Sequence, residues 1–134
     1  MIAEVKTCCL TGLDGHIVTV EADVSQGLPA FEIVGLPDAA VKEARERVRA
    51  AIKNCGYEFP SRRYTINLAP SGIKKEGSLF DLPIAIAILK ATEQIKTGIE
   101  PTVVLGELSL SGEVRPVPMA FLQAESPYTV NSAS

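Results

Sequence analysis

An apolar stretch at residues 82–89, interrupted only by Pro83, constrains the fold of this chain more than any other feature. Ala, Leu and Ile extend it beyond the usual length of a strand, so it predicts a helix buried on nearly all sides. Asp81 is expected to cap this helix, which places Pro83 at the second helical position, where its missing N–H removes no hydrogen bond. The alternating residues 64–68 predict a strand just before it. Strand, polar loop and buried helix therefore form one unit.

The remaining chain contains the patterns of five further strands and one more helix. Turn-forming residues at 12–15 join the first two strands in a hairpin. Apolar residues spaced by three and four predict an amphipathic helix that Asp38 caps and Gly56 ends. The predicted strands are residues 3–10, 17–24, 30–34, 64–68, 102–110 and 113–117, and the predicted helices are residues 38–54 and 82–89. The order β-β-β-α-β-α-β-β predicts an α+β fold, with helices on one face of a mixed sheet.

The length of 134 residues fits one domain, which we place at residues 1–117. Residues 118–134 mix small, polar and proline residues, so we expect a loosely ordered tail without helix or strand. With 46% hydrophobic and 22% charged residues, the composition is that of a soluble globular protein. No membrane-spanning run and no secretory signal pattern is present, so a cytoplasmic location without a membrane partner is predicted.

The cysteine and histidine content argues against a metal site. Cys8, Cys9 and Cys55 form no Cys-x-x-Cys pair, and adjacent cysteines on a strand point to opposite faces. We therefore predict reduced thiols packed in the interior. His16 is the single histidine, which is too few for a catalytic triad or a histidine-based metal site.

Positive charge is concentrated in the middle of the chain. Residues 38–75 carry nine basic and four acidic side chains, a net charge of +5, and the remainder carries −8. Four of the basic residues recur at helical spacing, and four more follow them along the chain, so that together they could grip phosphates. These candidate nucleic-acid-binding residues are Lys42, Arg45, Arg49, Lys53, Arg62, Arg63, Lys74 and Lys75.

The more ordinary interpretation of these residues is a solvated helix face. Lys42 with Glu46, and Glu43 with Arg47, have the i,i+4 spacing of helix ion pairs. No aromatic residue is interleaved with the basic ones for stacking on bases. From the residue pattern alone we favour this interpretation over a phosphate-binding surface.

A glycine-containing loop at residues 72–79 lies between the predicted strand and the buried helix, the context of a phosphate-binding loop. After the second glycine, Gly77, such a loop needs a lysine and then a hydroxyl residue, whereas Ser78 and Leu79 occupy those positions. The chain thus has neither a Walker A nor a Walker B segment. We predict no nucleotide cofactor for this chain.

Ser78 lies close in sequence to Lys74 and Lys75, which raises the alternative of a serine-lysine hydrolase. Closeness in sequence does not show that a lysine reaches the hydroxyl. A helix-entry cap and solvated lysines are the more ordinary interpretation, and Asp81 is expected to be a cap rather than an acid catalyst. We predict no catalytic residue, with Ser78 as the weak candidate.

Four groups of segments together resemble one family. They read GLPAFEIVGLPD at 27–38, EARERVRAAI at 43–52, NLAP at 67–70 with KEG at 75–77 and FDLPIA at 80–85, and LGELSLSGEVRPV at 105–117. This combination resembles the N-terminal domain of the magnesium-chelatase-like AAA+ ATPases, the ComM and YifB group. The resemblance covers residues 1–117.

The resemblance implies a fold like the second domain of ribosomal protein S5, which the proteolytic domain of Lon shares. It implies that a full-length protein continues into an AAA+ module that binds ATP and magnesium and assembles as a ring. In ComM that module drives branch migration of DNA during natural transformation. The implied role for this chain is a non-catalytic domain that contacts DNA or assists ring assembly, with that AAA+ module, DNA and further copies as partners.

Two alternatives stay open beside this role. One is a Lon-like serine hydrolase, in which Ser78 falls roughly where Lon-type peptidases have their nucleophile. Their lysine corresponds to a region that here offers Phe121, so the serine would lack its base. The other is a purely structural scaffold. The family continues after Val117 into a further helix and strand, which residues 118–134 do not resemble, so the fold is expected to lack those last elements.

Overall fold

The structure of the protein is a computed structural model that describes residues 1–11, 14–70 and 80–95 and four short strands beyond them. It contains eight strands and two helices within the described residues, in the order β-β-β-α-β-α-β-β-β-β. They are β1 (Ile2–Thr11), β2 (Asp14–Ser25), β3 (Ala30–Val34), α1 (Asp38–Asn54), β4 (Arg63–Ala69), α2 (Asp81–Ala91), β5 (Thr102–Val104), β6 (Glu107–Leu108), β7 (Val114–Arg115) and β8 (Thr129–Asn131).

The main sheet is mixed and has six strands in the order β3-β4-β2-β1-β5-β8. The predicted hairpin is confirmed, since β1 and β2 pair antiparallel along their whole length, with Val5 opposite Val20. On the other side of β2 lies β4, again antiparallel, with Val20 opposite Leu68. Strand β3 lies parallel to β4 and forms one edge of the sheet. The predicted α+β class is confirmed.

One face of the sheet is apolar and lies under both helices. Along β2 the buried residues Val18, Val20, Ala22 and Val24 alternate with less buried polar residues, which is the expected pattern of a strand with one solvated face. The other strands continue this apolar face. Its core side chains from β1, β3 and β4 are Val5, Phe31, Ile33, Tyr64, Ile66 and Leu68. The opposite face of the sheet is therefore left for polar side chains.

Helix α2 lies in the middle of the molecule, packed against β1, β2 and α1. Ten of its eleven residues are buried, so the prediction of a helix surrounded by apolar neighbours is confirmed. The N-cap is Phe80 rather than Asp81, which is the first residue of the helix. Pro83 is thus the third helical residue, still within the turn whose N–H groups have no helical acceptor.

Asp81 instead forms an ion pair that joins the two helices. Its carboxylate accepts hydrogen bonds from the Nε and Nη2 atoms of Arg47 on α1. The Asp81 side chain is 2% exposed and that of Arg47 is 29% exposed. A buried carboxylate needs such a partner, so this pair fixes α1 against the start of α2.

Helix α1 has the predicted bounds, but its N-cap is Pro37, and Asp38 is its first residue rather than its cap. Ala44, Val48, Ala51 and Ile52 are buried as predicted. At its end Gly56 has a φ of +87° and donates its N–H to the Lys53 carbonyl, the left-handed conformation that glycine adopts after helices.

Cys8 is buried, as expected, but Cys55, which follows the last residue of α1, is exposed. Gly35, between β3 and α1, has a φ of +108°, and a Cβ there would lie 2.7 Å from the Leu68 carbonyl oxygen. A glycine is required at this turn because the chain passes so close to β4.

After α2 the structure describes four short strands. Two of them fall within the strand predicted at 102–110: β5 lies parallel to β1, and β6 pairs antiparallel with β7 in a separate two-stranded sheet. The expectation that residues 118–134 contain no strand is wrong at one place, because β8 lies parallel to β5 at the sheet edge. The domain boundary at residue 117 stays a prediction.

Candidate nucleic-acid interface

Three of the predicted basic residues lie along one line of α1. Lys42, Arg49 and Lys53 are separated by seven and four residues, which returns each to the same side of a helix. Lys42 and Lys53 are exposed and stand three turns apart, about 16 Å along the axis. Among the described residues neither has a hydrogen-bond or ion-pair partner. Both ammonium groups are therefore available to an anion.

The Arg45 side chain binds to the backbone of the sheet. Its Nη1 donates a hydrogen bond of 3.0 Å to the backbone carbonyl of Phe31. Phe31 belongs to β3, the edge strand. The N–H of the preceding residue, Ala30, donates to the Arg62 carbonyl just before β4, so the Phe31 carbonyl is directed to the open side of the strand. The guanidinium thus satisfies an acceptor at the open edge of the sheet.

Arg49 is held by three neighbours. Its Nη1 lies 3.2 Å from Glu46 Oε1, and its guanidinium carbon lies 5.5 Å from the ring centre of Phe59 and 5.9 Å from that of Phe31. At these distances the cation–π interactions with both rings stabilise the position of Arg49, in addition to its ion pair with Glu46. The predicted Lys42–Glu46 pair is not seen, since Glu46 turns to Arg49, whereas the predicted Glu43–Arg47 pair is present at 3.7 Å.

Arg62 and Arg63 are directed to opposite sides of the sheet. Arg63 is exposed on the polar face, where its Nη2 lies 3.9 Å from Glu32 Oε1, while its neighbour Tyr64 is buried on the helix side. Arg62 lies at the rim of the pocket described below, together with Lys53. We call Lys42, Arg49, Lys53 and Arg62 the basic surface. The predicted Lys74, Lys75 and Ser78 lie outside the described residues.

A pocket of about 280 Å³ adjoins the basic surface. Three elements and the segment between α1 and β4 converge on it. Its basic side chains are Arg49, Lys53 and Arg62, and its apolar side chains are Pro29, Phe31, Phe59, Pro60 and Tyr64. The pocket therefore combines positive charge with aromatic surface.

The three aromatic rings of the pocket contact one another. Phe59 stacks on Tyr64 with ring centres 4.4 Å apart and planes at 20°. Phe31 lies 5.6 Å from Phe59 and 5.7 Å from Tyr64. Phe31 and Tyr64 are buried, whereas Phe59 is half-buried and so offers part of its surface to the pocket. These mutual contacts fix the orientation of Phe59.

Tyr64 is anchored by its hydroxyl as well as by its ring. The hydroxyl donates to the Pro60 carbonyl at 2.5 Å. Burial raises the pKa of Tyr64, and the nearby positive charges of Arg62 and Arg49 oppose that shift in part. The neutral phenol is thus the form that the fold stabilises.

Sequence reasoning missed this cluster because its aromatic residues are distant along the chain. Phe31, Phe59 and Tyr64 come from β3, an irregular segment and β4, and the parallel pairing of Phe31 with Tyr64 brings them together. The expectation that no aromatic residue is interleaved with the basic residues holds for the sequence of α1. In the folded chain, however, Phe31 and Phe59 lie beside Arg49. The one local signal was Phe59-Pro60, an apolar pair in an otherwise polar segment.

The described residues contain no group of three or more His, Cys, Asp and Glu that could hold a metal ion. The loop at residues 72–79 lies outside the described residues. In the part of the chain that the structure describes, no helix has the length and apolarity needed to cross a membrane.

The described residues form a small α+β domain with a basic surface and an aromatic pocket. Residues 20–128 match the family model described as subunit ChlI of magnesium chelatase. The chain belongs to this family.

The relatives agree with this assignment. YifB of Salmonella typhimurium, described as uncharacterized, is 48% identical over 124 residues, which is 92% of this chain and 24% of the relative. The competence protein ComM of Haemophilus influenzae is 45% identical over 107 residues, 79% of this chain and 21% of the relative. The Lon protease of Mycolicibacterium smegmatis is 27% identical over 116 residues, 81% of this chain and 14% of the relative. The chain thus spans about a quarter or less of the length of these relatives.

Proposed function

We propose that this chain is the non-catalytic N-terminal domain of a magnesium-chelatase-like AAA+ ATPase, and that its basic surface contacts DNA. In this proposal ATP and magnesium bind to the AAA+ module of the full-length protein, which assembles as a ring in the cytoplasm and acts on DNA as ComM does. The similarity to YifB and ComM supports the family part of the proposal.

The observation that carries the DNA contact is the line of available cations on α1. Lys42 and Lys53 lack partners among the described residues, although acidic side chains such as Glu43 and Glu46 lie on the same helix. Those carboxylates bind Arg47 and Arg49 instead. A surface whose lysines are left unneutralised attracts a polyanion, and its binding to the phosphates releases counterions that were condensed on the DNA.

The test is a fluorescence-anisotropy titration of the chain with single-stranded, duplex and branched DNA at two salt concentrations. We expect binding that weakens as salt rises. Lys42→Glu and Lys53→Glu should each weaken it and lower the slope of log K against log salt by about one. Lys6→Glu is the matched control, because this substitution makes the same charge change at a position on β1, outside the basic surface. Lys6 is already paired with Glu4 and Thr19. DNA binding that is equal in all three variants would rule out the proposed contact.

We also propose that the fold is that of the second domain of ribosomal protein S5 and of the Lon proteolytic domain. Two features support it: the early β-β-β-α-β-α order with both helices on one face, and the 27% identity to a Lon protease. An experimental structure that traced the chain around residues 96–128 would test the remaining connections.

The Lon similarity also supports a second candidate, a serine hydrolase that uses Ser78. A serine-directed fluorophosphonate would label the chain, and the label would disappear in Ser78→Ala. The absence of labelling, in a chain that circular dichroism shows to be folded, would exclude this candidate.

A purely structural role in holding a ring together is the remaining candidate. Sedimentation of the chain at increasing concentration tests it, since self-association without DNA binding would favour assembly over DNA contact.

A further inference from the structure

We propose that the pocket beside the basic surface binds one unpaired nucleotide, with its phosphate at Lys53 and Arg62 and its base against Phe59. This inference rests on the proposed DNA contact and goes beyond it, because it names the form of the nucleic acid. A nucleotide whose base is unpaired occurs in a single strand or as a free nucleotide, and the test below distinguishes these sources.

The cations of the pocket converge from two parts of the chain. Lys53 comes from the last turn of α1, and Arg62 from the segment just before β4. Both are exposed, and neither has a hydrogen-bond or ion-pair partner among the described residues. A phosphate placed between them would receive charge-assisted hydrogen bonds from both sides.

The apolar side of the pocket is already ordered. Phe59 is held by its stack on Tyr64, and Tyr64 is held by its hydrogen bond to the Pro60 carbonyl. Arg49 is likewise fixed by Glu46 and by the rings beneath it. A flat base that packs here would not have to immobilise these side chains, which lowers the entropic cost of binding.

The combination of charge and aromatic surface discriminates between forms of DNA. A duplex presents its phosphates outward and keeps its bases stacked inside, so it engages only the cations. An unpaired nucleotide presents its phosphate and its base together. The volume of about 280 Å³ is near the lower end of ligand pockets, roughly 300 Å³, which suits one nucleotide rather than several.

The experiment is an amide NMR titration of the chain with a short single strand, with the duplex of the same sequence and with free thymidine monophosphate. We expect the single strand to shift the amide signals of Phe59, Ser61 and Arg62, and the duplex to shift those of α1 and Arg62 but not that of Phe59. Phe59→Leu should weaken single-strand binding by about fivefold and leave duplex binding unchanged.

Two further variants make the result decisive. Tyr57→Leu is the matched control, because Tyr57 is exposed outside the pocket; it should change neither affinity. Arg62→Gln alters an exposed side chain and so tests the phosphate contact without disturbing the core; it should weaken single-strand binding severalfold.

The outcomes separate the two proposals. Equal single-strand binding by Phe59→Leu, Arg62→Gln and the unaltered chain, with shifts confined to α1, would overturn the pocket and leave the DNA contact standing. No binding of any DNA would overturn the DNA contact. In that case shifts at Phe59 with free nucleotide would retain the pocket as a nucleotide site, and no shifts would overturn it as well.

Discussion

The two helices lie side by side on the same sheet yet have opposite relations to solvent. Helix α2 buries ten of eleven residues, whereas α1 buries four of seventeen. A helix enclosed by apolar neighbours takes its stability from packing, while a surface helix uses one stripe for packing and leaves the rest to charge. Helix α2 therefore contributes most to the packing of the core, whereas α1 leaves most of its side chains partly or fully exposed.

The largest expected effect comes from opening a cavity at α2. Ile88 is fully buried, so Ile88→Ala should lower the free energy of unfolding by roughly 2–5 kcal/mol. Urea denaturation, monitored by circular dichroism, measures this loss in the free energy of unfolding. The matched change on α1 is Val41→Ala at a partly buried position; an equal loss there would contradict the division between the helices.

The ion pair between the helices should give the next largest effect. Arg47→Met leaves the Asp81 carboxylate, which is 2% exposed, without its guanidinium partner. We expect a loss on the order of 2–3 kcal/mol, below that of a fully buried pair because Arg47 borders solvent. Denaturant unfolding measures it.

The reverse change should cost less. Asp81→Asn leaves the charge on Arg47, whose side chain is 29% exposed and lies 3.7 Å from Glu43. Water and that second carboxylate can still stabilise the guanidinium. A greater loss for Asp81→Asn than for Arg47→Met would contradict this order. It would show that leaving the Arg47 guanidinium without Asp81 costs more than leaving the buried Asp81 carboxylate without Arg47.

Alkaline pH should destabilise the aromatic cluster under α1. Burial raises the pKa of Tyr64 in the folded protein above its ordinary value of 10.0. The unfolded chain then loses this proton first, so the contribution is complete below pH 10.0 and is lost as the pH rises through the folded pKa.

Stability measured between neutral and strongly alkaline pH tests this expectation. Tyr64→Phe should flatten the alkaline decline, and Tyr57→Phe, an exposed position, should not. An identical decline in both variants would assign the effect to other groups.

The smallest expected effect is on the exposed face of α1. Lys42→Ala removes a side chain without a partner among the described residues, so the free energy of unfolding should change by less than about 0.5 kcal/mol. Its effect on DNA binding should be larger than its effect on stability. A clear loss of stability would indicate that Lys42 has a structural role.

Much of this architecture was predictable from local patterns. The uninterrupted apolar residues of α2, the three-and-four spacing of α1 and the alternation in β2 each depend on neighbours along the chain, and all three predictions were confirmed. Strand β8 was missed because its three residues carry no periodic pattern and pair only with a distant strand.

The site was less predictable for the same reason. Helical spacing aligned Lys42, Arg49 and Lys53 correctly, but it could not show that Arg45 bonds to the Phe31 carbonyl. Nor could it show that Asp81 pairs with a residue 34 positions away. Contacts between elements depend on register and packing angle, which no short stretch encodes.

The bond from Arg45 to the Phe31 carbonyl bears on how copies of this domain can be arranged. Joining two sheets edge to edge at β3 would require an incoming strand to displace this guanidinium from the backbone. The backbone of this edge is therefore partly closed to strand addition by any incoming chain, whether a second copy or another protein.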